Sequence, residues 1–173
     1  MEKIRLLYPT PPEFDDLMIE SDGFYLTGLK FVTPSLKKES SGTLINSNLK
    51  EDTPQVLKDT CKWLDAYFSG KRPEFTINCQ LEGLTPFRKE VIDLLCKVPY
   101  GETVTYGALA DCISARQHGR RMSAQAVGGA VGWNPIVIII PCHRVVGANK
   151  KLTGYGGGLN NKKALLRLEG VRF

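Results

Sequence analysis

The stretch PIVIIIPCHRVVG, residues 135–147, constrains this chain more than any other. Its five consecutive branched apolar residues, Ile136 to Ile140, are too costly to leave in water, so they must lie in the core. The pattern predicts a buried strand over 135–140, and Pro141 ends it because proline cannot donate a ladder hydrogen bond. The chain must therefore leave the core at Cys142, His143 and Arg144, which puts a thiol and an imidazole at the mouth of a buried segment. If the backbone stayed extended there, Cys142 and His143 would point to opposite faces, and contact between them would require a bend or a bridging water.

The remaining sequence supplies a setting for that segment. With 173 residues the chain can form one moderate domain or two small ones packed together, each with a real core. No apolar run has the length of a membrane span, and MEKIRLLYPTPPEF does not have the character of a secretory signal, so a cytoplasmic protein is expected. The five cysteines contain no CxxC pair, which argues against a zinc site and a thioredoxin-like redox pair. Cys61, Cys79, Cys96 and Cys112 are expected to be small buried hydrophobes. Charge is divided unevenly. Residues 1–83 carry 10 Lys/Arg against 13 Asp/Glu, a net of −3, and residues 84–173 carry 13 against 5, a net of +8. A basic C-terminal half suits a polyanionic partner.

The division in charge coincides with a division in pattern, and two domains are expected, 1–83 and 84–173. In the first, DLMIES, the turn SDG and FYLTGLKFV read as a hairpin. SLKKESSGTLINSNLKED reads as a loop. TPQVLKDTCKWLDAYFSG reads as a helix capped by Thr53 and closed by Gly70, with Leu57, Cys61, Leu64 and Phe68 on one stripe. EFTINCQL reads as one more short strand. The second half is mainly helical. TPFRKEVIDLLCKV starts with another Thr-Pro pair, TVTYGALADCI opens a helix near Thr105, and SAQAVGGAVGWN is a small-residue helix capped by Ser123. LTGYGGGL is a glycine-rich loop, and NNKKALLRLEG is a last helix with an Asn cap. The helix pair before 135 allows a helix-turn-helix, although its connector is longer than usual. The small residues of its second helix allow two readings: close approach to a groove, or close helix packing at Gly128 and Gly129. Arg120 and Arg121 just upstream favour the groove, since arginine and a helix N-terminus both bind phosphate.

PCHRVVG resembles the active-site motif of the O6-alkylguanine-DNA alkyltransferases. The resemblance continues, in the family's order and spacing, through TPFRKEV, VPYGETVTYGALA, AVGGAVGWNP, GYGGGL and LLRLEGV, and so covers essentially all of 84–173. It implies an α+β chain: an N-terminal RNase-H-like sheet-and-helix domain, then a mainly helical winged helix-turn-helix domain. It implies DNA repair of double-stranded DNA containing O6-alkylguanine. The second helix enters the minor groove, the damaged base is flipped out, and its alkyl group passes irreversibly to Cys142. Whether O4-alkylthymine is also repaired stays open. The resemblance makes His143 a water-mediated proton relay, Glu169 its anchor and Asn134 the brace of the active-site turn. It makes Tyr106 the donor to guanine N3, Gly156 a backbone donor to O6, Tyr155 a pocket wall, and the carbonyls of Cys142 and Val145 acceptors for the exocyclic amine. Ser123, Ala124, Gln125 and Gly128 on the groove-entering helix, with Arg120 and Arg121, would meet DNA. No cofactor and no metal are implied, and a monomer is expected.

Two positions depart from the family pattern. Gln125 stands where the family commonly has the arginine that fills the gap left by the flipped base, and Gly156 stands where serine is frequent. Two rival readings are a non-catalytic alkyltransferase-like protein that only binds alkylated DNA, and a winged-helix regulator with a redox-sensing cysteine. The first lacks the cysteine in the family, typically carrying Trp there. The second leaves His143, Glu169 and Tyr106 together unexplained.

Overall fold

A computed structural model describes residues 3–32, 49–117 and 121–173, and the backbone of 44–45. It separates into two units, Met1–Glu82 and Gly83–Phe173.

The first unit is a sheet with a helix. Strands β1 (Ile4–Tyr8), β2 (Leu17–Ser21), β3 (Leu26–Phe31) and β4 (Leu44–Ile45) lie in the order β3-β2-β1-β4. β2 pairs antiparallel with β1 and β3, and β4 runs parallel to β1. The expected hairpin is β2–β3, and its period of two buries Ile19 between Leu6 and Leu29 and Leu17 between Tyr8 and Phe31. β1 was not anticipated, and β4 falls in the segment read as a loop; most of that segment lies outside the described residues. EFTINCQL forms no strand, only an isolated bridge between Cys79 and Leu26. Helix α1 (Gln55–Phe68) covers β2 and β3 with Leu57, Cys61, Leu64 and Tyr67. Its cap position is Pro54, and the Thr53 hydroxyl instead accepts from the Lys50 N–H.

The second unit contains α2 (Pro86–Leu95), α3 (Tyr106–Arg116), α4 (Ala124–Gly132) and α5 (Leu159–Leu168). A two-stranded parallel ladder joins β5 (Val104–Thr105) to β6 (Val145–Val146). Thr85, Thr105 and Ser123 cap α2, α3 and α4 as the sequence indicates, each side chain accepting from the N–H three residues on. α5 begins at Leu159, ahead of the asparagines expected to cap it, with Gly158 in the cap position.

The apolar run is buried, but it is not a strand. Residues 133–141 follow a chain of tight turns, with Ile136, Val137, Ile138 and Ile140 in the core. The Asn134 side chain does the work of a neighbouring strand. Its Oδ1 accepts from the Ile136 N–H at 3.0 Å, and its Nδ2 donates to the Ile140 carbonyl at 3.0 Å. The turn forces Ile138 to φ +70°, a left-handed conformation that a β-branched residue adopts only under constraint. Local β-propensity is overridden by a side chain two residues away.

Candidate active site

The turn from Pro141 converts directly into a single 3-10 turn, Cys142–Arg144. This bend answers the geometric problem of the dipeptide: an extended backbone would separate the two side chains, and here it curls. Cys142 and His143 are both buried, and His143 is wholly inaccessible to solvent.

Cys142 lies in the wall of a cleft of about 180 Å³ lined also by Tyr106, Gly128, Asn134, Tyr155 and Gly156. The cleft is large enough for one flat ring system. Asn134 Nδ2 donates to the thiol sulfur at 3.0 Å, and the Tyr155 side chain lies beside the same sulfur. Burial pushes the thiol up to about 11, against the opposing pull of Asn134, the Lys162 ammonium and Tyr155. At neutral pH it rests protonated and needs a proton acceptor before it can attack. The Tyr106 hydroxyl is also raised, by burial and by the nearby sulfur, against an opposing pull from the Thr153 side chain.

His143 meets Glu169 at the end of α5, Nε2 to Oε1 at 2.8 Å. Its partners hold the Glu169 carboxyl well below the usual range despite burial, so the carboxylate is ionised and can only accept. Nε2 therefore carries the hydrogen, and in the neutral ring Nδ1 is the basic nitrogen. Burial holds His143 below its ordinary value, outweighing Glu169. Glu169 also accepts from Arg144 and from the Gly101 N–H at 3.1 Å. Gly101 sits at φ +79°, and a Cβ there would come within 2.9 Å of the Glu169 carbonyl oxygen, so only glycine fits.

The structure thus brings together Cys142, Asn134, Tyr106, Gly128, Tyr155 and Gly156 around one cleft, with His143 and Glu169 buried as a pair. Val145 is not among the cleft-lining residues; it lies in β6, and its carbonyl accepts from Lys162 Nζ at 2.6 Å. Ala124 and Gln125 are exposed on the first turn of α4, Ser123 caps it and Arg121 is exposed just before it; Arg120 lies outside the described residues. A Cβ at Gly129 would meet nothing, and one at Gly128 only the Tyr106 ring at an ordinary 3.8 Å. Contact at the Cβ position therefore does not require glycine at either 128 or 129. Of the cysteines expected in the core, Cys61 is buried, Cys79 is half-buried, and Cys96 and Cys112 are exposed. The last two fall just outside the apolar stripes of α2 and α3.

Two charged residues were not singled out from the sequence. Arg144 forks onto Glu169, and Lys162 is completely buried, donating to the carbonyls of Val145, Thr153 and Gly154. Burial pulls Lys162 down to about 8. The signal for Lys162 was available: it shares the helical stripe of Leu165, Leu166 and Glu169, which a surface lysine does not. No cluster of metal-ligating side chains occurs among the described residues, and no helix there is long and apolar enough to cross a membrane.

Residues 86–171 match the 6-O-methylguanine DNA methyltransferase DNA-binding domain, and residues 13–81 match the ribonuclease-like domain of the same proteins. The methylated-DNA–protein-cysteine methyltransferase of Mycobacterium tuberculosis is 53% identical over 119 residues, 69% of this chain and 68% of that one. Its Mycobacterium leprae counterpart is 41% identical over 153 residues, 88% and 85% of the two chains. The crystal structure of the M. tuberculosis O6-methylguanine methyltransferase superposes with a TM-score of 0.74 at 38% identity, covering 97% of this chain and 93% of that one. A structure of M. tuberculosis OGT in complex with DNA gives 0.74 at 39% identity, covering 95% and 91%. Both halves of the sequence, the folds they adopt and the cysteine cleft agree with one assignment: the chain belongs to the methylated-DNA–protein-cysteine methyltransferase family.

Proposed function

We propose that this protein repairs O6-alkylguanine in duplex DNA by moving the alkyl group to Cys142, once per molecule. The observation that carries the reading is the buried Cys142 thiol, hydrogen-bonded by Asn134 in a ring-sized cleft, one residue from an imidazole anchored on an ionised glutamate. An ether carbon needs a soft, strong nucleophile, and a resting thiol near 11 becomes one only when a base takes its proton. His143 is that base, through a bridging water to Nδ1.

The balance is simple. The S–H bond breaks, the thiolate pair forms the new C–S bond, the C–O bond breaks, and its electrons go to the guanine. The proton withdrawn from sulfur is returned to the leaving base at a ring nitrogen, so no oxidant or reductant is involved. Tyr106 donates to N3 and the Gly156 N–H to O6, neutralising the charge that develops there. The carbonyls of Cys142 and Val145 accept from the exocyclic amine; that of Val145 does so with its second lone pair, since Lys162 occupies the first. The thioether is not cleaved, which limits each molecule to one transfer.

The target atom is out of reach inside a stacked duplex, so the nucleotide must be flipped through the minor groove. The exposed first turn of α4, with Ser123, Ala124 and Gln125, and the open flank at Gly129 give a backbone surface that a groove can approach closely. Arg121 lies where it can meet phosphate. All the groups invoked belong to one chain, so a monomer suffices. O4-alkylthymine offers a similar alkyl ether and is a second candidate substrate.

The test is a titration. Protein is mixed with excess duplex carrying labelled O6-methylguanine, and transferred label is counted. It should stop at one equivalent per protein, and Cys142→Ser should transfer none while still binding the duplex. Turnover beyond one equivalent, or transfer by the serine variant, would overturn the reading. Binding without transfer by the unaltered protein would favour the non-catalytic alternative.

A further inference from the structure

Arg144 has no role in the chemistry described so far, yet all three of its guanidinium nitrogens are hydrogen-bonded beside the reacting dipeptide. Its Nε and Nη2 donate to Oε2 and Oε1 of Glu169, both at 2.9 Å, and its Nη1 donates to the Val98 carbonyl at 2.7 Å. Its guanidinium lies 5.7 Å from the centre of the Tyr100 ring. Glu169 is thereby saturated. Oε1 accepts from His143 and Arg144, and Oε2 accepts from Arg144 and the Gly101 N–H. A carboxylate offers about four acceptor sites, and all are used.

We propose that Arg144 is a positioning residue for proton transfer: its fork fixes the Glu169 carboxylate and occupies its charge, so that His143 is held in place yet stays neutral and able to take the Cys142 proton. This rests on the base role given to His143 above. A carboxylate alone beside a buried imidazole would favour the imidazolium, which has no lone pair left to accept a proton. With Arg144 on the same carboxylate, charging the ring would put a second cation against one anion in a site buried from bulk solvent.

The groups facing His143 support this balance. Glu169 approaches from the end of α5, Lys162 from its first turn, and Arg144 and Cys142 flank the ring in sequence. Around Glu169 stand Tyr100 and Tyr155, both neutral phenols held above their ordinary value chiefly by burial. Burial, Arg144 and Lys162 all oppose a charged imidazole, and only Glu169 favours it. Lys162 is committed to three carbonyls, which leaves Arg144 as the cation bound to the carboxylate itself. In the step concerned, the S–H bond breaks, its pair stays on sulfur, and the proton reaches Nδ1 through the intervening water.

The experiment is the pH profile of single-turnover benzyl transfer from free O6-benzylguanine, which requires no DNA binding. It compares the unaltered protein with Arg144→Gln and Arg144→Lys, with thermal unfolding measured alongside. Loss of the cation in Arg144→Gln should move the acid limb upward by about one pH unit or more, roughly a tenfold slower rate on that limb, with recovery at alkaline pH. Arg144→Lys keeps the charge without the fork, so its limb should stay near that of the unaltered protein while its rate falls at every pH. A uniform loss of rate in both variants, tracking stability with no movement of the limb, would reduce Arg144 to a structural part and overturn the inference. If Arg144→Gln does not fold, 15N spectra of the unaltered protein decide. The His143 ring should be neutral with its hydrogen on Nε2 at about pH 6.5, the ordinary midpoint for histidine, and a protonated ring there would overturn the inference. No benzyl transfer by the unaltered protein at any pH would instead sink the transferase reading itself.

Discussion

Replacing Asn134 by alanine probes the turn and the thiol in one step. The side chain satisfies two buried backbone groups, the Ile136 N–H and the Ile140 carbonyl, and gives the Cys142 sulfur a donor, all at 3.0 Å. Each orphaned backbone group costs about 1–3 kcal/mol, so about 2–6 kcal/mol is at stake. Part of that is recovered. Ile138 is held at φ +70°, a strain of about 1–3 kcal/mol that relaxes once the bracket is gone. A net loss of about 2–3 kcal/mol is therefore expected. Urea unfolding followed by Trp133 fluorescence, in a Trp63→Phe background, reports on the second unit alone. The same variant should alkylate more slowly with iodoacetamide near neutrality, because losing the Asn134 donor raises the thiol beyond about 11. A stability change under about 0.5 kcal/mol together with an unmoved thiol profile would refute the bracket.

Acid stability tests Glu169. Its folded pKa lies below its unfolded value, so its contribution is present above about pH 4.3 and is lost as pH falls through the depressed folded value. Glu169→Gln should flatten that acid limb in urea midpoints measured against pH, and at pH 7 it should destabilise by about 3–5 kcal/mol by stranding the Arg144 charge. Lys162→Met should slow iodoacetamide alkylation of Cys142 near neutrality, where the ammonium is still charged and favours the thiolate; an unchanged rate there would remove Lys162 from the electrostatics of the thiol. Gln125→Arg should speed repair in duplex more than in single strands, and leave the rate on free O6-benzylguanine alone, because Gln125 is exposed on α4 and is not among the residues lining the cleft. An equal change on the free base would put residue 125 in the pocket.

What was legible in the sequence, and what was not, follows from the range of the interactions. The helix starts at Thr85, Thr105 and Ser123 were readable because a cap is settled within three residues. The β2–β3 hairpin was readable from local alternation and its turn. The turns over 133–141 were not, because five β-branched residues in a row look like a strand until Asn134 supplies hydrogen bonds that no periodicity encodes. β1 was missed because its partners lie elsewhere in the chain: β2 pairs from residues 17–21 and β4 from 44–45. In the site, the reactive residues came from a long ordered motif. The charges that tune them did not, since Arg144 and Lys162 gain meaning only when Glu169 and the glycine loop fold back on them.

The central claim is that Cys142 itself receives the alkyl group. The most direct measurement is intact-mass spectrometry with peptide mapping after one round of reaction with an equimolar O6-methylguanine duplex. A gain of one methylene per protein molecule is expected, confined to the peptide carrying Cys142, with Cys61, Cys79, Cys96 and Cys112 unmodified. A methyl group found on any other cysteine, or a repaired duplex with no gain of mass on the protein, would contradict it.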